Sequence, residues 1–166
     1  MDLRPSNWII EKYFMPFQRW RIERERKEEV SRITENIYIG DLVDAQKSIE
    51  KEENASKSVL NLMASEISST DLHAPLKDGY NSQKDFNNAV NSLREIVHKD
   101  DKVLVHCAAG QSRSCAVVTA HLMDDKEMSI SKALKSVEEG INSFRGRNSL
   151  NIDEELLDNL IKYSRD

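Results

Sequence analysis

The sequence predicts an α/β fold in which helices flank a central, mostly parallel β-sheet. Short apolar runs that suit buried strands alternate along the chain with longer segments whose apolar residues recur at helical spacing. Strands that alternate with helices in this way build layered α/β domains. A chain of 166 residues is long enough for one such domain plus an appendage.

The first half of the predicted domain contains three strands and one polar helix. Residues 37–40 and 58–62 form apolar runs typical of strands, and residues 71–74 form a weaker one. Between the first two strands, residues 42–53 form the polar helix. Ser82 then opens a longer helix, whose apolar residues at helical spacing are Phe86, Ala89, Val90, Leu93, Ile96 and Val97.

The second half begins after a charged turn at residues 99–102, before which the Ser82 helix is expected to end. Residues 103–105 are apolar throughout and predict a short buried strand, and residues 114–123 predict an apolar helix. Ser129 can cap a further helix that ends near Glu139. Residues 152–163 predict a last, amphipathic helix.

The chain divides near Val30 into an appendage, residues 1–30, and the α/β domain, residues 31–166. Half of the ten aromatic residues of the chain lie in the first twenty positions. Three interpretations stay open for them. The appendage is a helical extension that packs its aromatic side on the domain, or residues 8–20 form a surface for a partner or for self-association, or the segment associates with a membrane surface without strong electrostatic attachment.

Composition narrows the class of protein. A net charge of −5 argues against a nucleic-acid binder, whose footprint is a basic surface. Two cysteines do not make a disulfide framework and suit a reducing compartment. No apolar run reaches membrane-spanning length, and residues 1–20 lack the pattern of a signal peptide. We therefore expect a cytoplasmic protein without a transmembrane segment or a nucleic-acid partner.

The ten residues 105–114, Val-His-Cys-Ala-Ala-Gly-Gln-Ser-Arg-Ser, indicate the chemistry. The strand before them and the helix after them place Cys107 in a strand–loop–helix turn. Backbone N–H groups point inward in such a turn, and the helix adds its positive end, so that the loop attracts a tetrahedral anion. The same environment favours the thiolate form of the cysteine. Arg113 adds a planar guanidinium that can bind two phosphate oxygens at once.

This pattern of His-Cys, five residues and Arg-Ser resembles the signature of the cysteine-dependent protein tyrosine phosphatase superfamily. Its ending, residues 112–114, is most similar to the compact dual-specificity branch. The resemblance implies that Cys107 is the nucleophile and forms a cysteinyl-phosphate intermediate. It also implies that Arg113 and the loop amides stabilise the non-bridging oxygens. The substrate-binding positions would be Ala108, Ala109, Gly110, Gln111, Ser112 and Arg113.

Three more roles follow from the resemblance. The Ser114 hydroxyl would stabilise the thiolate and help it to leave during hydrolysis, whereas His106 would face away from substrate and organise the loop backbone. Asp78, 29 residues before the cysteine and bracketed by Pro75 and Gly79, resembles the mobile aspartate that serves as general acid and then base. The same mechanism implies no metal and no cofactor.

Competing candidates surround these positions. Asp71 and Asp85 are alternatives for the acid, although Asp71 lies close to a predicted strand and Asp85 lies in the predicted Ser82 helix. Cys115 is either a buried helix residue or the partner of a protective disulfide with the nucleophile. Tyr80 either stacks on a substrate ring or packs in the domain. Positive charge at the rim of the site would come from Lys77, Arg145 and Arg147, unless these are ordinary surface charges.

The sequence thus predicts a phosphatase that acts on phosphotyrosine and on phosphoserine or phosphothreonine in a phosphoprotein. The uncharged loop positions 108–112 favour a substrate with one phosphate per site over a phosphoinositide. Two other functions stay open. One is a phosphate-binding pseudoenzyme, and the other is an enzyme similar to sulfurtransferases or arsenate reductases, which would not need Asp78.

Overall fold

The computed structural model describes residues 30–50, 58–65, 72–99, 102–145 and 150–165. The predicted appendage, with its docking surface at residues 8–20, lies outside these ranges except for Val30. The strands are β1 (Ser31–Arg32), β2 (Ile37–Gly40), β3 (Ser58–Asn61), β4 (Leu72–His73) and β5 (Val103–His106). The helices are α1 (Leu42–Glu50), α2 (Gln83–Lys99), α3 (Arg113–Asp125), α4 (Ile130–Arg145) and α5 (Glu154–Tyr163).

The five described strands form one sheet in the order β1-β2-β5-β3-β4, and only the β1–β2 pair is antiparallel. The predicted mostly parallel α/β fold is therefore confirmed. Strand β1 was not predicted, because two residues are too few to show an alternating pattern. It pairs Ser31 with Ile39 and Arg32 with Tyr38, which extends the sheet at the edge of β2.

Strand β5 lies at the centre of the sheet and carries the chain to the site. All four of its residues are buried, as expected for a parallel strand covered on both faces. At its last residue, His106 pairs with Gly40 of β2 on one side and with Asn61 of β3 on the other. Three strands thus end together at one edge, which is where open α/β sheets place their ligand sites.

Helices α2 and α3 each contribute several residues to the core. The buried residues of α2 are Phe86, Ala89, Val90, Leu93 and Ile96, all from the predicted apolar set. Phe86 also meets Tyr163 of α5 edge to face, with ring centroids 6.0 Å apart. Helix α3 packs against α2, α4 and α5, and its residues from Arg113 to Leu122 are buried. No helix in the described ranges has the length and apolar character needed to cross a bilayer.

Helix α4 does not end near Glu139 as predicted but continues to Arg145. Gly140 directly follows Glu139, and glycine commonly terminates helices. Here, however, Gly140 lies inside the helix and lets it approach the end of β1 closely. A Cβ at this position would lie 2.7 Å from Cδ1 of Ile33. Ile141 follows and is fully buried, so packing extends the helix past the glycine.

The other predicted boundaries differ by a few residues. Helix α2 ends at Lys99, inside the predicted turn, and α3 begins one residue early and ends at Asp125. Helix α5 begins at Glu154 and not at residue 152, because Asp153 caps it. Asp153 Oδ1 accepts a hydrogen bond from Leu156 N, and the backbone of Asp153 is extended. Strands β3 and β4 are each shorter than predicted.

Candidate active site

The loop predicted to bind an anion connects the end of β5 to the start of α3. Cys107 directly follows β5, and Arg113 is the first residue of α3. Two neighbouring segments hold the loop at its base. Leu62 N donates to the His106 carbonyl at 3.0 Å, and Leu42 N donates to the Ala108 carbonyl at 3.3 Å. The predicted strand–loop–helix turn is therefore present.

The Cys107 sulfur is buried and surrounded by donors. The Gly110 amide donates to Sγ at 3.2 Å, and the Ser114 hydroxyl lies 3.2 Å from Sγ. Gly110 adopts a φ of +65°, a left-handed conformation that glycine reaches without steric cost and that turns its amide toward the sulfur. Burial acts to raise the pKa of the thiol, but the charge of Arg113 and these hydrogen bonds together lower it below its ordinary value.

Arg113 links the anion-binding loop to the segment that carries the predicted acid. Its side chain is buried, and Nη1 donates to the Leu76 carbonyl at 3.1 Å. Leu76 N in turn donates to the Leu62 carbonyl at 3.0 Å, just beyond strand β3. The guanidinium is thereby fixed between the sulfur and the chain that leads to Asp78.

Asp78 lies in a short exposed loop that Asn81 holds in shape. The Asn81 side chain accepts from Lys77 N at 2.7 Å and donates to the carbonyls of Lys77 and Gly79 at 3.0 and 2.9 Å. Gly79 has a φ of +119°, which favours glycine. Asn81 therefore fixes the backbone on both sides of Asp78 and leaves the Asp78 side chain exposed. Sequence reasoning missed Asn81, although an asparagine just after a glycine turn is a typical turn-stabilising residue.

Of the two alternative acids, Asp85 and Asp71, the structure describes only Asp85. Asp85 lies in the first turn of α2, where its carboxylate accepts from the Ser82 hydroxyl at 2.7 Å and its amide donates back at 3.1 Å. This reciprocal pair caps the helix. Asp71 lies outside the described residues. Asp78 is thus the described candidate whose side chain has no such structural role.

His106 is the last residue of β5 and contacts the backbone of the loop. Its side chain is fully buried, and Nδ1 lies 3.3 Å from the Cys107 carbonyl oxygen. Burial, reinforced by the charge of Arg113, lowers its pKa to about 4, although the bond to that carbonyl and the charge of Asp44 act in the opposite direction. The imidazole is therefore neutral near pH 7.

A second contact that sequence reasoning missed joins the loop to the start of α5. The Ser112 hydroxyl donates to Asp153 Oδ2 at 3.0 Å and accepts from Asp153 N at 3.1 Å. Next to it, Asn151 N donates to the Gln111 carbonyl at 3.0 Å. An aspartate just before Glu154 is typical of a helix cap, a signal that the prediction of a helix over residues 152–163 did not use, and nothing in the sequence indicates its contact with Ser112.

The remaining candidates divide between surface and core. Tyr80 is 71% exposed, so the packing interpretation is wrong. Cys115 is fully buried in α3 and donates to the Gly110 carbonyl at 3.6 Å, and both cysteines are free. Lys77 is exposed. Arg147 and the side chain of Arg145 are not described.

A broad surface groove of about 830 Å³ lies elsewhere, at the amino ends of β2 and β5. Asn36, which lines it, accepts a hydrogen bond from Val103 N, at the opposite end of β5 from Cys107. The groove is lined by Thr34, Glu35, Asn36, Val97, His98, Lys99 and Lys126, and none of these lining residues is a cysteine. We therefore place the candidate site at the anion-binding loop, which contains the predicted nucleophile Cys107, and not in this groove.

Alkylation of Cys107 tests the lowered thiol pKa. The thiolate, and not the thiol, attacks iodoacetamide and displaces iodide, so the alkylation rate should reach its half-maximum at a pH below that of an ordinary thiol. Replacing Ser114 by alanine removes one stabilising contact worth about 1 kcal/mol, so the alkylation rate near pH 6 should fall roughly fivefold. Mass spectrometry after trypsin separates the two cysteines, because cleavage follows Arg113. A Ser114→Ala rate equal to that of wild type would contradict the role of the hydroxyl.

The buried His106 should make stability depend on pH. Its pKa is about 4 in the folded chain against 6.5 ordinarily, so the unfolded chain binds the proton more tightly. Stability is therefore fully present above pH 6.5 and is lost as pH falls toward 4, by about 3 kcal/mol at most. Urea unfolding of wild type and His106→Asn at pH 7.5 and 4.5 measures this. The variant should lose less free energy of unfolding between the two pH values, and equal losses would refute the prediction.

Comparisons with known proteins agree with this geometry. Residues 30–166 match the family described as dual specificity phosphatase, catalytic domain. Dual specificity protein phosphatase OPG106 of Vaccinia virus (strain Western Reserve) is 32% identical over 108 residues, which cover 61% of this chain and 63% of the viral protein. Human dual specificity protein phosphatase 18 is 29% identical over 108 residues, which cover 61% of this chain and 57% of that protein. The chain therefore spans less than two thirds of the length of these relatives.

A solved structure extends the likeness to the fold. The crystal structure of human DUSP28 superposes with a TM-score of 0.65 and covers 84% of this chain and 95% of that one. At 20% identity this likeness concerns the fold alone.

Proposed function

This chain belongs to the dual specificity phosphatase family, and from that membership we propose that it removes phosphate from phosphotyrosine and from phosphoserine or phosphothreonine in proteins. One observation supports the proposal above all. A buried cysteine sulfur accepts a hydrogen bond from the Gly110 amide and lies 3.2 Å from the Ser114 hydroxyl, and the arginine of the same loop donates a hydrogen bond to the segment that carries an exposed aspartate.

In the first step, the Cys107 thiolate attacks the phosphorus of the substrate. A sulfur–phosphorus bond forms while the bond from phosphorus to the substrate oxygen breaks, and Asp78 gives its proton to that oxygen. The non-bridging oxygens gain charge as the transition state forms. In this mechanism the loop amides and the Arg113 guanidinium, which its bond to the Leu76 carbonyl holds in place, stabilise that charge.

In the second step, water hydrolyses the cysteinyl phosphate. The Asp78 carboxylate takes a proton from the water as its oxygen attacks phosphorus, and the sulfur leaves as a thiolate. The Gly110 amide and the Ser114 hydroxyl, each 3.2 Å from the sulfur, stabilise that leaving thiolate. Inorganic phosphate is released, and Asp78 is again protonated for the next substrate.

The lining of the loop supports a protein substrate. Positions 108–112 carry no charged side chain, so nothing there is built to bind a second or third phosphate. Tyr80 presents an exposed ring two residues after Asp78, where it can contact the substrate next to its phosphorylated side chain. Cytoplasmic location and the lack of a nucleic-acid partner stay predictions.

Phosphate release from a panel of substrates tests the proposal. We expect the wild-type chain to hydrolyse phosphotyrosine and phosphothreonine peptides and to be much less active on a phosphoinositide with several phosphates. A phosphate-binding pseudoenzyme would bind the peptides and release nothing. Turnover of thiosulfate without turnover of any phosphate ester would instead assign the loop to sulfur transfer.

A further inference from the structure

We propose that helix α5 positions two loops relative to each other: the anion-binding loop, residues 107–113, and the loop that carries Asp78, residues 77–81, here called the acid loop. Asp153 and Asn159 are the positioning residues. The inference rests on the proposed function, because it concerns the distance between the nucleophile Cys107 and the acid Asp78. Neither positioning residue would touch the substrate. Each holds one of the two loops that do.

Asp153 holds the anion-binding loop. Its Oδ2 accepts from the Ser112 hydroxyl at 3.0 Å, and its amide donates to the same hydroxyl at 3.1 Å. Its Oδ1 is used by the helix itself, since it accepts from Leu156 N at 2.9 Å. One residue therefore ties the loop directly to the first turn of α5. The bond from Asn151 N to the Gln111 carbonyl adds a second connection beside it.

Asn159 holds the acid loop from the same helix. Its side chain is buried, and Nδ2 donates to the Asn81 carbonyl at 3.2 Å and to Gln83 Oε1 at 3.1 Å. Both hydrogens of the amide are thereby used. Gln83 Nε2 donates back to the Asn159 carbonyl at 3.0 Å. Asn81 shapes the backbone around Asp78. Asn159 therefore acts on the position of Asp78 through one intermediate residue, Asn81.

The helix between these two residues is a rigid connection. Six residues of α-helix span about 9 Å, so one straight element reaches from one loop to the other. Its inner face is anchored by Leu156 and Leu160, which are fully buried, and by Tyr163 against Phe86. Because the sulfur and the acid must meet the phosphate from opposite sides, a displacement of about 1 Å between the loops can cost on the order of 10²-fold in rate.

Two variants of α5 should therefore have different effects. Asp153→Ala frees Ser112, so binding of tungstate, a phosphate analogue, should weaken roughly tenfold and KM should rise for every substrate. Asn159→Leu keeps the branched shape and the number of heavy atoms of the side chain but loses the donor. Its kcat should fall roughly tenfold for phenyl phosphate, whose leaving group needs a proton, and little for an aryl phosphate with an acidic phenol, while tungstate affinity should stay unchanged.

Control variants separate positioning from folding. Asp153→Asn keeps an oxygen acceptor for Ser112 and should restore tungstate binding, whereas Ser112→Ala should reproduce the Asp153→Ala defect from the other side. Asp158→Asn alters an exposed carboxylate on the same helix and should behave as wild type. Thermal melting of each variant checks that the fold is intact.

The outcomes also separate this inference from the proposed function. If the wild-type chain hydrolyses no phosphate ester, the proposed function fails. Tungstate affinity, measured by calorimetry, still tests whether the contact between Asp153 and Ser112 positions the anion-binding loop. Wild-type tungstate affinity in both Asp153→Ala and Ser112→Ala would overturn the inference. So would an Asn159→Leu defect that is equal for all leaving groups and is accompanied by weaker tungstate binding.

Discussion

Replacing Cys107 by serine is expected to abolish turnover while phosphopeptide binding persists. The predicted nucleophile is the Cys107 sulfur, and the pKa of its thiol is lowered by Arg113 and by hydrogen bonds in spite of burial. A serine hydroxyl in the same place stays protonated, because its intrinsic acidity is far lower and the described contact of the His106 ring is with the Cys107 carbonyl, not with the hydroxyl. We expect the rate to fall by at least about 10⁴-fold.

Binding should survive because the parts that hold the phosphate are separate from the atom that reacts. Arg113 remains anchored to the Leu76 carbonyl, and the loop amides keep their direction in Cys107→Ser. Fluorescence polarisation with a labelled phosphotyrosine peptide measures the affinity, which should stay within roughly tenfold of the wild-type value. Cys115→Ser is the matched control, since it alters a buried cysteine that the mechanism does not use. Turnover in Cys107→Ser, or its loss in Cys115→Ser alone, would contradict the assignment of the nucleophile.

The parts of the fold that could be predicted are those in which the local pattern and the packing agree. Strand β5 is apolar throughout because both of its faces are covered, and α2 shows helical spacing because one of its faces is buried. Local pattern gives no comparable information on β1, which exists through its pairing with β2. It also misplaced the end of α4, where contact with Ile33 makes a glycine acceptable inside a helix.

The candidate site shows the same limit. The loop from Cys107 to Ser114 is contiguous, so its residue types and their spacing are enough to predict most of its geometry. Its supports come from far along the chain. Arg113 reaches across 37 positions to Leu76, and Ser112 reaches across 41 positions to Asp153. No sequence period relates such residues, because the fold alone brings them together.

Replacing Asp78 by alanine is expected to slow hydrolysis by an amount that depends on the leaving group. For phenyl phosphate and for phosphothreonine peptides, whose leaving oxygens need a proton, kcat should fall on the order of 10²- to 10⁴-fold. Aryl phosphates of acidic phenols release a stable phenolate, which needs no proton in the first step, so their rates should fall much less. A plot of log kcat against the pKa of the leaving group should therefore be steeper for Asp78→Ala than for wild type.

Two matched variants test whether this effect belongs to Asp78. Asp85→Asn alters a carboxylate that caps α2, so it should lower stability slightly and leave the dependence on the leaving group unchanged. Asp71→Asn tests the other candidate. If Asp71→Asn gives the steep dependence and Asp78→Ala does not, the acid is Asp71. Equal slopes in wild type and Asp78→Ala would remove Asp78 from the mechanism, because a group that protonates the leaving oxygen must matter most where that oxygen is most basic.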